Sequence, residues 1–206
     1  FSNTSSWFAQ SLDVRSSGNV LFNANVNAST QLQASSGNLV VVSDSDCDRA
    51  GNLIVSSGVV VTSTGRPMWL QVQDLELNGA LNATNNLMTL STCVSSVGSY
   101  AIDVGSVGVG SGDLRISQSE LARMTAQNLT ISATGIGKSS INVYSVNASN
   151  WQSLSTLVLL DASGAQGTIT FWQASTWRML TAQAGNGIRV LSDLSTIGGN
   201  LVLEGN

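Results

Sequence analysis

Residues 112–131 read GDLRISQSELARMTAQNLTI, and this stretch contains the pattern that decides the fold. Apolar side chains stand two residues apart at Leu114 and Ile116, and again at Leu129 and Ile131. Alternation of apolar and polar residues is the period of a β-strand with one buried face. The stretch therefore predicts two short strands joined by a corner.

The same unit returns along the second half of the chain. Strand phrases start at Leu114, Ile141, Ile169 and Ile188, which are 27, 28 and 19 residues apart. A shorter phrase, Gly-Asn followed by apolar residues, occurs at residues 18–22, 37–41, 51–55 and 199–203. Glycine followed by asparagine supplies the positive φ that a tight corner needs. Repeats of this length predict coils of two or three short strands, roughly eight in the chain.

Stacking explains why the coils must repeat. One coil cannot bury its own Leu, Ile and Val side chains, whereas neighbours ~4.8 Å above and below complete the core and the hydrogen-bond ladder. We therefore predict an all-β fold, a right-handed parallel β-helix (β-solenoid) of irregular coils. Residues 1–206 are expected to form a single domain, a segment of a longer repeat protein. An antiparallel β-sandwich is the alternative, but its hairpins do not suit strands that recur as copies.

Residues 112–131 also resemble the coils of filamentous-haemagglutinin-like secreted proteins. Those coils commonly carry a Glu-Leu-x-x-[Ile/Met]-Thr-Ala phrase before a Leu-x-Ile strand, which Glu120–Ala126 and Leu129–Ile131 match. Weaker similarity at Trp177–Ala182 and Leu194–Leu203 extends the resemblance over residues 112–203. The resemblance implies a right-handed β-helix, export to the cell surface, and a role as an adhesin shaft or fibre.

Composition excludes two classes of partner. Charged residues are 10% of the chain and the net charge is −4, with the eight basic residues scattered along the sequence. No basic cluster is present to neutralise a run of phosphates, so nucleic-acid binding is not expected. No apolar run approaches the ~20 residues that span a bilayer, so no membrane span is predicted.

Two features indicate an extracellular location, secreted or at the cell surface. Acceptor sequences for N-glycosylation stand at Asn3, Asn27, Asn82, Asn128 and Asn147. Cys47 and Cys93 are the only cysteines, and their separation of 46 residues corresponds to two coils. Strands two coils apart are farther from each other than the Cα atoms of a disulfide can be, unless a loop folds back. The pair is therefore either a disulfide or two small buried hydrophobic residues.

The sequence predicts no catalytic residues, no cofactor and no metal. It contains no histidine, which removes the common triads and histidine-ligated zinc. Asp44, Asp46 and Asp48 are the best candidate ligands for calcium, because alternate carboxylates suit a hard cation. They are interpreted as part of a solvated acidic loop, and a calcium site at a solenoid corner is the alternative. Asp74 and Glu76 share one strand face and resemble a catalytic pair, but they are interpreted as surface residues.

We expect an extracellular structural glycoprotein, a β-solenoid building block of a surface fibre, hair or adhesin shaft with no catalytic activity. Its partners would be further copies or a continuing fibre, and carbohydrate or a cell surface. The alternative is a carbohydrate-binding or carbohydrate-cleaving parallel β-helix protein. For that alternative, Trp172 is predicted to face outward as a sugar-stacking residue, whereas Trp151 and Trp177 are predicted to pack in corners or the core.

Overall fold

The structure of the protein, a computed structural model, describes residues 6–8, 11–29, 38–93, 99–105, 112–133, 138–147 and 154–206. Within these ranges, 22 β-strands and one four-residue helix make the fold all-β. All eighteen pairings between described strands are parallel. The predicted all-β class with parallel strands is confirmed.

The strands fall into three main rows and one short pair. The first row contains β1 (Ser6–Phe8), β4 (Val26–Ser29), β7 (Val60–Thr64), β10 (Ala80–Asn82) and the start of β14 (Met124–Ser132). The second row contains β2 (Leu12–Ser16), β5 (Leu39–Ser43), β8 (Met68–Gln71), β11 (Leu87–Ser91), the end of β14, β16 (Leu154–Ala162), β19 (Met179–Ala184) and β22 (Leu201–Gly205). The third row contains β3 (Val20–Phe22), β6 (Asn52–Val55) and β9 (Asp74–Leu77), and then a sheet of β13 (Leu114–Ser117), β12 (Tyr100–Gly105), β15 (Ser139–Tyr144), β17 (Thr168–Phe171) and β20 (Ile188–Val190). The short pair is β18 (Ser175–Trp177) with β21 (Leu194–Thr196).

Inward side chains of the second row stand in columns that form the core. One column, read from the registers of neighbouring strands, is Leu12, Leu39, Met68, Met88, Leu129, Val158, Leu180 and Leu201. Every member except Leu201 is buried. Burying one such side chain contributes about 1.5–3 kcal/mol. Continuity of the columns therefore stabilises the stack from one strand to the next.

Asparagine side chains connect the corners of neighbouring strands. Asn19 Oδ1 accepts a hydrogen bond of 2.8 Å from the backbone N–H of Asn52. Asn25 Oδ1 accepts one of 2.8 Å from the N–H of Val60. These bonds satisfy backbone donors at corners, where the strand ladder is interrupted. The asparagine-rich composition thus has a structural use.

Replacing Asn25 tests this corner bonding. We expect Asn25→Ala to lower the free energy of unfolding by about 1 kcal/mol, because the Val60 N–H loses its partner. Asn78→Ala is the matched control, since Asn78 is an exposed asparagine whose side chain makes no hydrogen bond within the described part of the chain. Urea unfolding followed by circular dichroism measures both. Equal effects of the two substitutions would contradict the role of the corner bond.

The repeat spacing is misleading at one place in the third row. A separation of 27 residues between Leu114 and Ile141 implies adjacent coils, but β12 lies between their strands. Ile102 is in register with Leu114 on one side and with Ile141 on the other. The strand β12 precedes β13 in sequence and follows it in the row. The adjacency prediction is wrong because an apolar alternation specifies the inward face of a strand but not its neighbour.

The helix α1 (Gln118–Leu121) forms the corner between β13 and β14. A capping box starts it, because Ser117 Oγ accepts from the Glu120 N–H and the Glu120 carboxylate accepts from the Ser117 N–H. Leu121 anchors the helix in the core. Across the described ranges, no helix has the length and apolar character needed to cross a membrane.

Candidate functional site

The acidic loop, residues 44–51, joins β5 of the second row to β6 of the third row. Asp44, Cys47 and Arg49 have positive φ angles of 128°, 60° and 72°. Residues other than glycine rarely adopt positive φ angles. The loop therefore holds its conformation through contacts outside its own backbone.

The acidic loop is held at its base and at its tip. At its base, Ser43 Oγ donates a hydrogen bond of 2.8 Å to the Gly51 carbonyl oxygen. At its tip, Cys47 and Cys93 form a disulfide with a Cα–Cα distance of 5.4 Å. Cys47 follows β5 and Cys93 follows β11, and β8 lies between these strands in the second row. The acidic loop therefore reaches from the end of β5 to the end of β11, two strands away. The sequence allowed the two cysteines to pair only if a loop folds back in this way.

The three candidate calcium ligands lie together in the acidic loop. One carboxylate oxygen from each of Asp44, Asp46 and Asp48 lies within 4.8 Å of the others. Asp46 and Asp48 are exposed, whereas Asp44 is 1% exposed and its Oδ1 is buried without a hydrogen-bond partner. Burial, with the charges of Asp48 and Asp46, raises the pKa of Asp44, although backbone N–H groups of Arg49 and Asp48 oppose the rise. The cluster therefore concentrates negative charge around a buried oxygen.

The Arg49 side chain contacts residues outside the acidic loop. Its guanidinium donates a hydrogen bond of 2.9 Å to the Ser99 carbonyl oxygen and lies 4.8 Å from the centre of the Tyr100 ring. It also forms an ion pair of 3.6 Å with Asp113. Arg49 thus ties the acidic loop to β12 and the turn before β13. Sequence reasoning did not single out this arginine, whose partners are 50 or more residues away.

Asp103 is a buried carboxylate that sequence reasoning missed. It is 4% exposed on β12, and its Oδ2 accepts a hydrogen bond of 2.7 Å from the Gly112 N–H. Its Oδ1 accepts one of 2.9 Å from Asn142 Nδ2 on β15. Gly112 has no room for a side chain, since a Cβ would lie 2.7 Å from Asp103 Cγ. The only signal in the sequence was one acid within an apolar strand phrase.

Asp74 and Glu76 share the outward face of β9, as predicted. Asp74 Oδ1 accepts a hydrogen bond of 3.1 Å from the Arg115 N–H. Glu76 Oε1 accepts one of 3.2 Å from Asn52 Nδ2 on the neighbouring strand. Both carboxylates therefore accept hydrogen bonds from adjacent strands, which gives them a structural role.

Tryptophans are divided between the core and the surface. Trp177 is fully buried and Trp172 is 48% exposed, so both predictions are confirmed. Trp69, which was not singled out as outward-facing, is 51% exposed on β8. Trp69 belongs to the second row, whereas Trp172 follows the third-row strand β17. The side chains of Trp7 and Trp151 lie outside the described residues.

The glycosylation acceptors differ in their accessibility. Asn128 and Asn147 are exposed, whereas Asn27 and Asn82 are half-buried within β4 and β10. Asn3 lies outside the described residues. Access for a bulky sugar is therefore better at Asn128 and Asn147 than at the other two described acceptors.

Comparison with protein-family models, curated proteins and solved structures finds no match to this chain. The class of the protein is therefore defined by its fold, an all-β fold of parallel strands. The similarity to filamentous-haemagglutinin-like coils stays a prediction from the sequence.

Proposed function

We propose that the chain is a right-handed parallel β-helix that serves as a structural building block of an extracellular surface fibre, hair or adhesin shaft. The order of the strands supports this fold, because the chain passes from row to row, apart from the consecutive third-row strands β12 and β13, and the second row contains eight strands. Right-handed crossovers are the rule for parallel strands that share a sheet. The proposed role is non-catalytic.

The observation that carries the proposal is the apolar edge at the last strands. Leu201, Val202 and Leu203 of β22 are 39%, 36% and 41% exposed. Val190 of β20 and Ile197 beyond β21 are 45% and 54% exposed. Among the described strands, β22 pairs only with β19 and β20 pairs only with β17. Both apolar side chains and backbone hydrogen-bonding groups are therefore available for another parallel strand.

Another copy of the chain, or the continuation of a longer fibre, suits this edge. Following the registers along the second row places Arg15 of β2 and Glu204 of β22 in one column, and both of these side chains are exposed. Stacking β2 of one copy on β22 of another would place these opposite charges side by side. The inward Leu201 would likewise meet Leu12 of the incoming strand. Head-to-tail association of this kind repeats without closing, and so builds a fibre.

Reversing the charge at the edge tests the proposal. We expect the wild-type chain to form longer assemblies as its concentration rises, and Glu204→Arg to weaken this association about tenfold. The substitution replaces an attraction to Arg15 with a repulsion between like charges. Analytical ultracentrifugation measures the association, and negative-stain electron microscopy shows whether the particles are rods.

Two further variants make the test specific. Glu76→Arg is the control, because Glu76 is an exposed carboxylate on β9 in the middle of its row, and it should leave association unchanged. Arg15→Glu combined with Glu204→Arg should restore association. A chain that stays monomeric at every concentration, or a Glu204→Arg variant that assembles as the wild type does, would overturn the proposal.

The exposed acceptors support an extracellular location for this building block. Asn128 and Asn147 are accessible to glycosylation, and a disulfide such as Cys47–Cys93 persists in oxidising compartments.

Carbohydrate binding is the second candidate function. The half-exposed Trp69 and Trp172 favour it, because sugars stack on exposed aromatic rings. A surface depression of about 320 Å³ beside Ser163 and Gln183 contains one carboxylate, Glu204. Glycoside cleavage ordinarily uses a pair of carboxylates, so this depression supports binding more than cleavage.

A further inference from the structure

The acidic loop brings together three carboxylates, and no basic side chain in the described ranges pairs with them. Asp44 Oδ1 is buried without a hydrogen-bond partner, beside the carboxylates of Asp46 and Asp48. Leaving a buried carboxylate oxygen unsatisfied is costly, and a nearby like charge increases the cost. A cation at this point would relieve both.

The neighbouring cationic side chains do not fill this role. Arg49, the closest in sequence, pairs with Asp113 and lies against Tyr100. In the described part of the chain, no ion pair includes any of the three loop carboxylates. Among the described residues, no basic side chain therefore supplies a counter-charge to these carboxylates.

We propose that Asp44, Asp46 and Asp48 bind one calcium ion. Two oxygen ligands of one calcium ion, each about 2.4 Å from it, are at most about 4.8 Å apart, and the three carboxylate oxygens lie within that limit of one another. The exposed Asp46 and Asp48 leave the ion accessible to water molecules, which would complete its coordination.

The available donors favour calcium over other metals. Carboxylate oxygens are hard ligands, the sequence has no histidine, and both cysteines are joined in the disulfide. Magnesium requires a near-ideal octahedron and gives up water reluctantly, whereas calcium accepts irregular oxygen sites. A loop with fixed positive-φ residues presents an irregular site of this kind.

The ion would fix the acidic loop, which the disulfide joins to the end of β11 across β8. The disulfide holds the loop at Cys47, and the ion would hold it on both sides of that residue. This inference does not depend on fibre formation, since it concerns one chain and its test uses the dissolved monomer or assembly alike.

Calcium titration of the full chain, with its disulfide intact and after dialysis against a chelator, tests the proposal. Isothermal calorimetry with CaCl₂ up to about 10 mM covers the range of weak extracellular sites. We expect one ion per chain and a rise in the thermal midpoint of about 2–4 °C. MgCl₂ should bind at least about tenfold more weakly.

Substitutions identify the ligands. Asp44→Asn keeps the shape of the buried side chain and should weaken calcium binding at least about tenfold, as should Asp48→Asn at the exposed position. Asp193→Asn, at an exposed aspartate far from the loop in sequence, should bind calcium as the wild type does. If Asp44→Asn does not fold, Asp48→Asn and Asp46→Asn decide the question. Absence of binding by the wild type, or unchanged binding by a folded Asp44→Asn or Asp48→Asn variant, would overturn the proposal.

Discussion

Replacing Phe171 with alanine is expected to lower the free energy of unfolding by about 3–5 kcal/mol. Phe171 is fully buried on β17, in register with Val143 of β15 and Val190 of β20. The substitution removes a large apolar side chain and leaves a cavity that parallel neighbours cannot close without breaking their ladder. Urea unfolding monitored by circular dichroism measures the loss.

The adjacent residue provides the control. Trp172 follows Phe171 in the chain but points outward and is 48% exposed. Its replacement by alanine should cost less, about 1–2 kcal/mol, because about half of the side chain is already exposed. Similar losses for the two variants would show that the inward and outward faces of this segment are assigned wrongly.

The core columns were predictable from the sequence because they follow from local chemistry. The inward residues Ile141, Ile169 and Ile188 were expected at equivalent positions, and the structure places them in direct register. Each strand phrase needs only its own alternation to specify which side chains are buried. Stacking then follows, since no single coil can cover its apolar face.

The row to which each strand belongs was less predictable from the sequence. The Gly-Asn phrases at residues 18–22 and 51–55 lead into neighbouring third-row strands, but those at residues 37–41 and 199–203 lead into second-row strands. The phrase precedes an inward residue, which every row requires, but the prediction that its glycine has a positive φ is wrong, since Gly18, Gly51 and Gly199 are not among the positive-φ residues. The phrase does not specify which corner. The same limitation explains why β12 was not recognised as an inserted strand.

The acidic loop was predictable in part. Alternate aspartates indicated that the carboxylates of Asp44, Asp46 and Asp48 come together. The burial of Asp44 was not predictable, because it depends on a loop that folds back over two neighbouring strands. That fold-back depends in turn on Ser43, Gly51 and Cys93, which only the folded chain brings together.

Removing the disulfide is expected to have the second large effect on stability. The bond between Cys47 and Cys93 closes a loop with a sequence separation of 46 residues. In the chain-entropy account, closing a loop of this length stabilises the fold by about 4 kcal/mol, since it restricts the unfolded chain. We therefore expect the double variant Cys47→Ser, Cys93→Ser to lose about this amount in urea unfolding.

The position of the disulfide predicts which strands lose the most stability when the bond is removed. The disulfide connects the ends of β5 and β11 across β8, and the segment after Cys93 leads into the inserted strand β12. Stability in a stack is carried by contacts between neighbours, so hydrogen exchange should accelerate most around β5, β8 and β12, and least around β19 and β22. Reduction of the wild type should reproduce this pattern without any substitution. A uniform acceleration, or a loss below about 1 kcal/mol, would mean that the Ser43–Gly51 contact and the Arg49 contacts hold the loop without the covalent bond.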